Sequence, residues 1–183
     1  MRTLKGFTLI ELLVTIAVVA ILMAVAVPSF VQQIRSNQVV TAASKLRDIL
    51  TYARSEAIKR SSLVSICPSS NGSSCLSSTA WATGWMVFVD DASSESSSSV
   101  TISTVLLFWD DVDSNVSITA KKGTSQSLSF LRFNDIGLLA KSSGTDTDSR
   151  TFQVQAATCT TTTARLITVG YAGIVSSNSA ACS

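Results

Sequence analysis

The chain has 183 residues, room for one ordinary domain with a core plus one long appended helix. Its apolar residues, 46% of the total against 14% charged, crowd into the first thirty positions, so one segment is made for a different solvent from the rest. A net charge of +2 is too small to draw a polyanion by bulk electrostatics, and the absence of histidine removes the usual general base and the commonest metal ligand.

The first element reads as a helix suited to lipid. No charge lies between Leu12 and Val27, and Glu11 is the single charge between Phe7 and Phe30. As a helix, Phe7 to Val31 would extend roughly 37 Å, enough to cross a hydrocarbon core of about 30 Å. Arg2 and Lys5 precede it, which by the positive-inside rule places the N-terminus in the cytoplasm. A secretory signal peptide cut after Ala26, behind the small-x-small stretch Ala24, Val25, Ala26, is the competing reading. Two features weigh against it. A carboxylate deep in a bilayer costs about 2.5 to 3.5 kcal/mol, so Glu11 is not there without a purpose, and the helical pattern continues past the cleavage point.

Beyond Pro28, residues Val39, Ala42, Leu46, Leu50, Ala53 and Ala57 recur every three or four positions on one face. Arg35, Lys45, Arg47, Asp48, Arg54 and Lys59 fill much of the rest. With no Gly or Pro between Ser29 and Arg60, one nearly continuous helix of roughly 80 Å is expected from Phe7 to about Arg60. Pro28 removes one of its backbone hydrogen bonds at a cost of up to about 3 kcal/mol, so a kink or local melting is expected there.

Gly6-Phe7-Thr8-Leu9-Ile10-Glu11, followed by the apolar run, resembles the processing motif of type IV pilins and type II secretion pseudopilins. The resemblance implies that a membrane-embedded prepilin peptidase cuts between Gly6 and Phe7 and methylates the new amino terminus, giving N-methyl-Phe7. It also implies an assembly role for Glu11, pairing with the freed, positively charged amine of Phe7 on a neighbouring subunit and setting register. The local alternative is that Glu11 caps its own helix or pairs with its own Phe7. Pilins of this kind loosen their helix near the position of Pro28 on entering the filament.

After the helix, short β-branched and aromatic runs alternate with Ser, Gly, Asn and Asp clusters. Strands are expected at 63–67, 85–89, 105–109, 116–120, 128–133, 151–155 and 166–169, with breaks at Asn71-Gly72, Gly123, Gly137, Gly144, Gly170 and Gly173. Connections this short imply mostly antiparallel pairing. The face carrying Leu46, Leu50, Ala53 and Ala57 would then lie across a sheet, an α+β pilin fold with the long helix packed on antiparallel strands. The low-complexity tract 93–99, six serines around Glu95, is expected to be a mobile loop because it cannot bury enough surface to order itself.

Cys67, Cys75, Cys159 and Cys182 all follow the apolar segment, where an exported chain meets an oxidising compartment, and their even number suggests two disulfides. The spacing lacks the tight pairs of a zinc site. Cys67 and Cys75 bracket a turn and could close a local bridge, leaving Cys159 with Cys182; four cysteines permit three connectivities.

Within the pilin superfamily, the segments Tyr52-Ala53-Arg54-Ser55-Glu56-Ala57, Gly84-Trp85-Met86-Val87-Phe88-Val89-Asp90 and Phe133-Asn134-Asp135-Ile136-Gly137 resemble the GspH/FimT group of minor pilins, its FimU-like members above all. The resemblance implies a minor subunit that primes pilus assembly in a tip complex. Its partners would be other minor pilins, the major pilin, the prepilin peptidase and methyltransferase, and the inner-membrane assembly platform. It divides the chain into a leader, 1–6, a membrane-spanning and assembly half of the helix, 7–34, and a periplasmic globular domain, 35–183. The subunit would sit in the inner membrane with one span, then in the fibre at the cell surface.

Three other functions compete. FimT-like relatives bind DNA through basic C-terminal residues; here Arg150 and Arg165 are the candidates, with Lys141 nearby, but Asp146 and Asp148 intervene and no arginine flanks Gly173. A type II secretion pseudopilin shares the leader and helix. An enzyme, or a calcium site, would have to use Asp90, Asp91, Asp110 and Asp111, pairs that fall at strand ends where solvated turns are the common reason for them. No catalytic residue, metal ligand or cofactor is assigned.

Overall fold

A computed structural model describes residues 7–76, 80–123, 125–141, 148–159 and 164–182, the side chains of 25–29 excepted. The chain divides into two compact units, Met1–Asn37 and Gln38–Ser183. Helix α1, Leu9–Arg60, begins in the first and ends in the second. The helix continues through Pro28.

Among the described residues of the second unit, nine strands form two antiparallel sheets. The first contains β1 (Val64–Pro68), β2 (Trp85–Asp90), β3 (Ile102–Trp109) and β6 (Leu131–Phe133), in the order β3-β2-β1-β6. The second contains β4 (Val116–Lys122), β5 (Gln126–Ser127), β7 (Arg150–Ala156), β8 (Ala164–Val169) and β9 (Val175–Ala180), in the order β5-β4-β7-β8-β9.

The helix face read from the sequence is the one that packs. Leu46, Leu50, Ala53 and Ala57 are fully buried, joined by Val39, Ala42, Ala43 and Ile49. They share one core with Val64, Ile66 and Val87 of the first sheet and Ile118, Phe152, Val154 and Ile167 of the second. Trp81 stands edge-on to Phe152 with ring centroids 4.9 Å apart, and its indole N–H donates to the Leu128 carbonyl at 2.7 Å. Trp85, equally buried, donates to the Trp81 carbonyl at 2.7 Å, so neither indole leaves a polar atom stranded in the core.

Away from its edge strand β3, the first sheet is covered on both faces, unlike a common antiparallel sheet with one wet side. Every residue of β1 is buried. Val64 and Ile66 point to the main core, whereas Cys67, Met86 and Phe88 form a second cluster on the opposite face with Phe108 and Phe130 packed against it. Two loops cover that outer face: 69–76, where Gly72 at φ +66° lies against the Phe108 ring, and the serine tract.

That tract corrects the expectation of a mobile loop. Arg132, on β6, donates to the carbonyls of Glu95 and Ser97 at 3.1 and 2.9 Å and of Ser99 at 2.7 Å. Low apolar content still denies the tract a core of its own, but a buried cation on another strand holds three of its carbonyls.

Candidate assembly site

At the start of α1, Thr8 and Glu11 close a reciprocal cap. The Thr8 backbone N–H and hydroxyl both donate to Glu11 Oε2 at 2.9 Å, and the Glu11 N–H donates to Thr8 Oγ1 at 3.3 Å. Thr8 is thus the N-cap and Glu11 the N3 residue of a capping box, which satisfies helix donors that have no partner within the helix. The local reading of Glu11 therefore describes its contacts in this chain. The Thr-x-x-Glu spacing was the sequence signal that could have identified it.

From Phe7 to Ile34 every described large apolar side chain is exposed, from 41% at Val31 to 81% at Phe7. Among the described residues of its own unit, nothing covers this surface. Over the described residues no helix is long and apolar enough to cross a membrane. The apolar run of the sequence continues through 25–29, whose side chains are not among those described. The same limit applies to the side chain of Pro28, and Gly6 lies outside the described residues.

In the second unit the helix end is tied to two distant turns. Arg54 Nε donates to the Gly137 carbonyl and its terminal nitrogen to the Ala172 carbonyl, each at 3.0 Å. Gly137 and Gly173 cross so closely that a Cβ on Gly173 would lie 2.0 Å from the Gly137 oxygen. Asn134 shapes the first turn by accepting the Leu138 N–H at 2.9 Å on its side-chain oxygen. Cys67 is bonded to Cys75 and Cys159 to Cys182, with Cα separations of 5.6 and 5.8 Å.

A family model described as Type II transport protein GspH matches residues 42–173, and a second, the prokaryotic N-terminal methylation motif, matches residues 1–27. The chain belongs to the GspH family. A crystal structure of the type IV minor pilin FimU of Pseudomonas aeruginosa superposes with a TM-score of 0.58 at 23% identity, over 76% of this chain and 87% of FimU. A second crystal form gives 0.53 at 25% identity, over 75% and 90%. Two fimbrial proteins of Pseudomonas aeruginosa are 37% identical over 65 residues, 36% of this chain and 42% of theirs. The chain thus spans less than half the length of those curated relatives. It is a pilin of the minor-pilin and pseudopilin kind, with the α+β fold expected from its sequence.

Against this GspH fold the other candidate residues can be placed. Arg150 is only 4% exposed and donates to the Asp148 carbonyl at 2.6 Å, so it offers no surface charge to a phosphate. Arg165 donates to the Ser179 hydroxyl at 3.1 Å. Register places Arg150 opposite Val169 and Arg165 opposite Val154, on the face of buried Phe152 and Ile167. They stand four residues apart along the strands, about 14 Å, and form no shared patch. Lys141 lies over the Tyr171 ring at 5.5 Å, and Asp146 is outside the described residues.

The four aspartates do not converge either. Asp90 pairs with Ile102 at one end of the β2–β3 hairpin, whereas Asp110 and Asp111 follow Trp109, the partner of Trp85, at the other. Five residues of strand separate the ends by about 17 Å. Among the described residues no three His, Cys, Asp or Glu are placed to hold a metal ion.

Proposed function

We propose that this chain is a minor pilin that enters a type IV pilus through its N-terminal helix and acts in priming assembly at the filament tip. The leader, 1–6, is removed after Gly6, and Phe7 becomes the N-methylated terminus. Residues 7–34 hold the subunit in the inner membrane, with 35–183 in the periplasm, until other pilins replace the lipid. The observation that carries this reading is the uncovered apolar surface from Phe7 to Ile34, a cost in water of roughly 25 cal/mol per Å² that lipid or neighbouring helices would remove. The match of residues 1–27 to the methylation motif supports the processing step.

In the precursor Glu11 closes the cap with Thr8. Cleavage creates a charged amine at Phe7, and we assign Glu11 the second task of receiving that amine from an adjacent subunit. Pro28, which cannot donate a backbone hydrogen bond, is the place where the helix loosens on incorporation.

Two variants in the native host test this. Gly6→Leu is expected to accumulate an unprocessed, membrane-retained precursor visible as a slower band on immunoblots, with few pili. Glu11→Ala is expected to be cleaved normally yet be absent from sheared fibres. Normal cleavage of the first would overturn the processing assignment. Normal incorporation of the second would leave Glu11 with its cap alone.

A type II secretion pseudopilin is the second reading, favoured by the description of the matching family. Deleting the gene separates the two: loss of surface pili with intact exoprotein secretion supports the pilus, and the reverse phenotype supports the pseudopilus.

A further inference from the structure

On the outer face of the first sheet lies a buried ion pair that no assembly role uses. Arg132 and Asp90 meet at 2.7 Å with side chains 2% and 0% exposed. The Asp90 carboxylate is satisfied on both oxygens. Oδ2 accepts from the Ser65 hydroxyl at 2.6 Å and Arg132 Nε at 2.8 Å; Oδ1 accepts from the backbone N–H groups of Ala92 and Thr101 at 3.1 and 2.8 Å. Those two amides are the entry to and exit from the serine tract.

The guanidinium has five N–H donors in a planar fork, and each has a partner. Nε and one Nη2 hydrogen face Asp90, and the remaining three face the carbonyls of Glu95, Ser97 and Ser99. Alternate carbonyls therefore turn inward around the cation. Ser96 and Ser98 between them are exposed, as are Ser93, Ser94 and Ser99. The Phe130 ring lies 4.9 Å from the guanidinium carbon, and Asn134 Nδ2 donates to the Glu95 carboxylate at 3.2 Å.

We propose that residues 93–99 form a preorganised surface loop templated from inside by the Arg132 guanidinium, with Asp90 holding both the cation and the two ends of the loop. Arg132 is a positioning residue: it stands where a coordinated metal ion would stand in a loop of converging carbonyls. The exposed serine hydroxyls are thereby held in one fixed arrangement. A lysine in its place would keep the charge but lose the planar reach to three carbonyls.

The test is hydrogen exchange on the full-length chain in detergent, read at the amides of Ala92 and Thr101, which donate to Asp90, and of Ser96 and Ser97, which donate within the loop to Ser94. Arg132→Lys is expected to speed exchange there by about tenfold or more, the loss of one charge-assisted bond, while the strands keep wild-type rates. In Arg132→Ala, millimolar methylguanidinium is expected to slow loop exchange again, and methylammonium is not. Unchanged loop protection in folded Arg132→Lys would overturn the proposal. So would acceleration across the whole domain, which would make the pair a core element and not a template, or a failure of methylguanidinium to act on folded Arg132→Ala.

Discussion

Glu56, near the end of α1, is 7% exposed and accepts from Arg60 Nε at 2.7 Å and Lys59 Nζ at 3.4 Å. The Arg60 hydrogen bond holds its carboxyl below the ordinary glutamate value of 4.5; burial opposes this, and Lys59 adds to it. A carboxyl with a lowered folded pKa contributes stability that is complete above its unfolded value and lost as pH falls through the folded one. The difference in Tm between wild type and Glu56→Gln is therefore expected to be constant above about pH 5 and to shrink below 4.5. A difference that grows on acidification would contradict the pairing. At this scale the sequence was uneven. Thr8 and Glu11 carried a readable cap signal, whereas Asp90 and Arg132 lie 42 positions apart and nothing local marks them as partners. Arg150 looked like a surface cation, and only the register of β7 against β8 turns it inward.

The turns that meet over the helix end depend on two glycines for different reasons. Gly137 and Gly173 both have positive φ, +78° and +73°, and Gly173 also has a carbonyl where its Cβ would be. Gly173→Ala is expected to cost about 2 kcal/mol or more, from the left-handed backbone together with displacement of the Gly137 turn. Gly170→Ala, where the nearest atom is 4.0 Å away and φ is unexceptional, is expected to change stability by less than about 1 kcal/mol. Thermal melts of the two variants check the contrast, and equal losses would mean the crossing matters less than the chain's general intolerance there. Among the elements, β1 to β4, β7 and β8 were legible because each carries a β-branched or aromatic run. Strand β9, Val-Ser-Ser-Asn-Ser-Ala, was not, because it is exposed along most of its length and so has no apolar alternation to read. Strand β5 has two residues, too few for any period.

Across the whole molecule, the α+β class and the packing face of α1 could be read from the change of hydrophobic period alone. The division into two sheets could not, since pairing order depends on contacts far apart in sequence. The two disulfides act on different parts of this plan. Cys67–Cys75 closes 8 residues over the outer face, and Cys159–Cys182 closes 23 around β8 and β9. In the chain-entropy model their removal as paired Cys→Ser variants is expected to cost about 2 and about 3 kcal/mol respectively, measured by denaturant unfolding. Loss of the second bond is expected to release the amides of β9 first, and a β9 that stays protected would show that its ladder suffices.

That last strand has few greasy side chains to hold it; its six residues pair with β8, and a sulfur link lies just past its end. In a reducing compartment the link cannot persist. With the domain in the periplasm, as proposed above, the sheet edge would be finished late, after oxidation there, so a subunit caught before that moment would present β8 as a raw edge able to join the wrong strand.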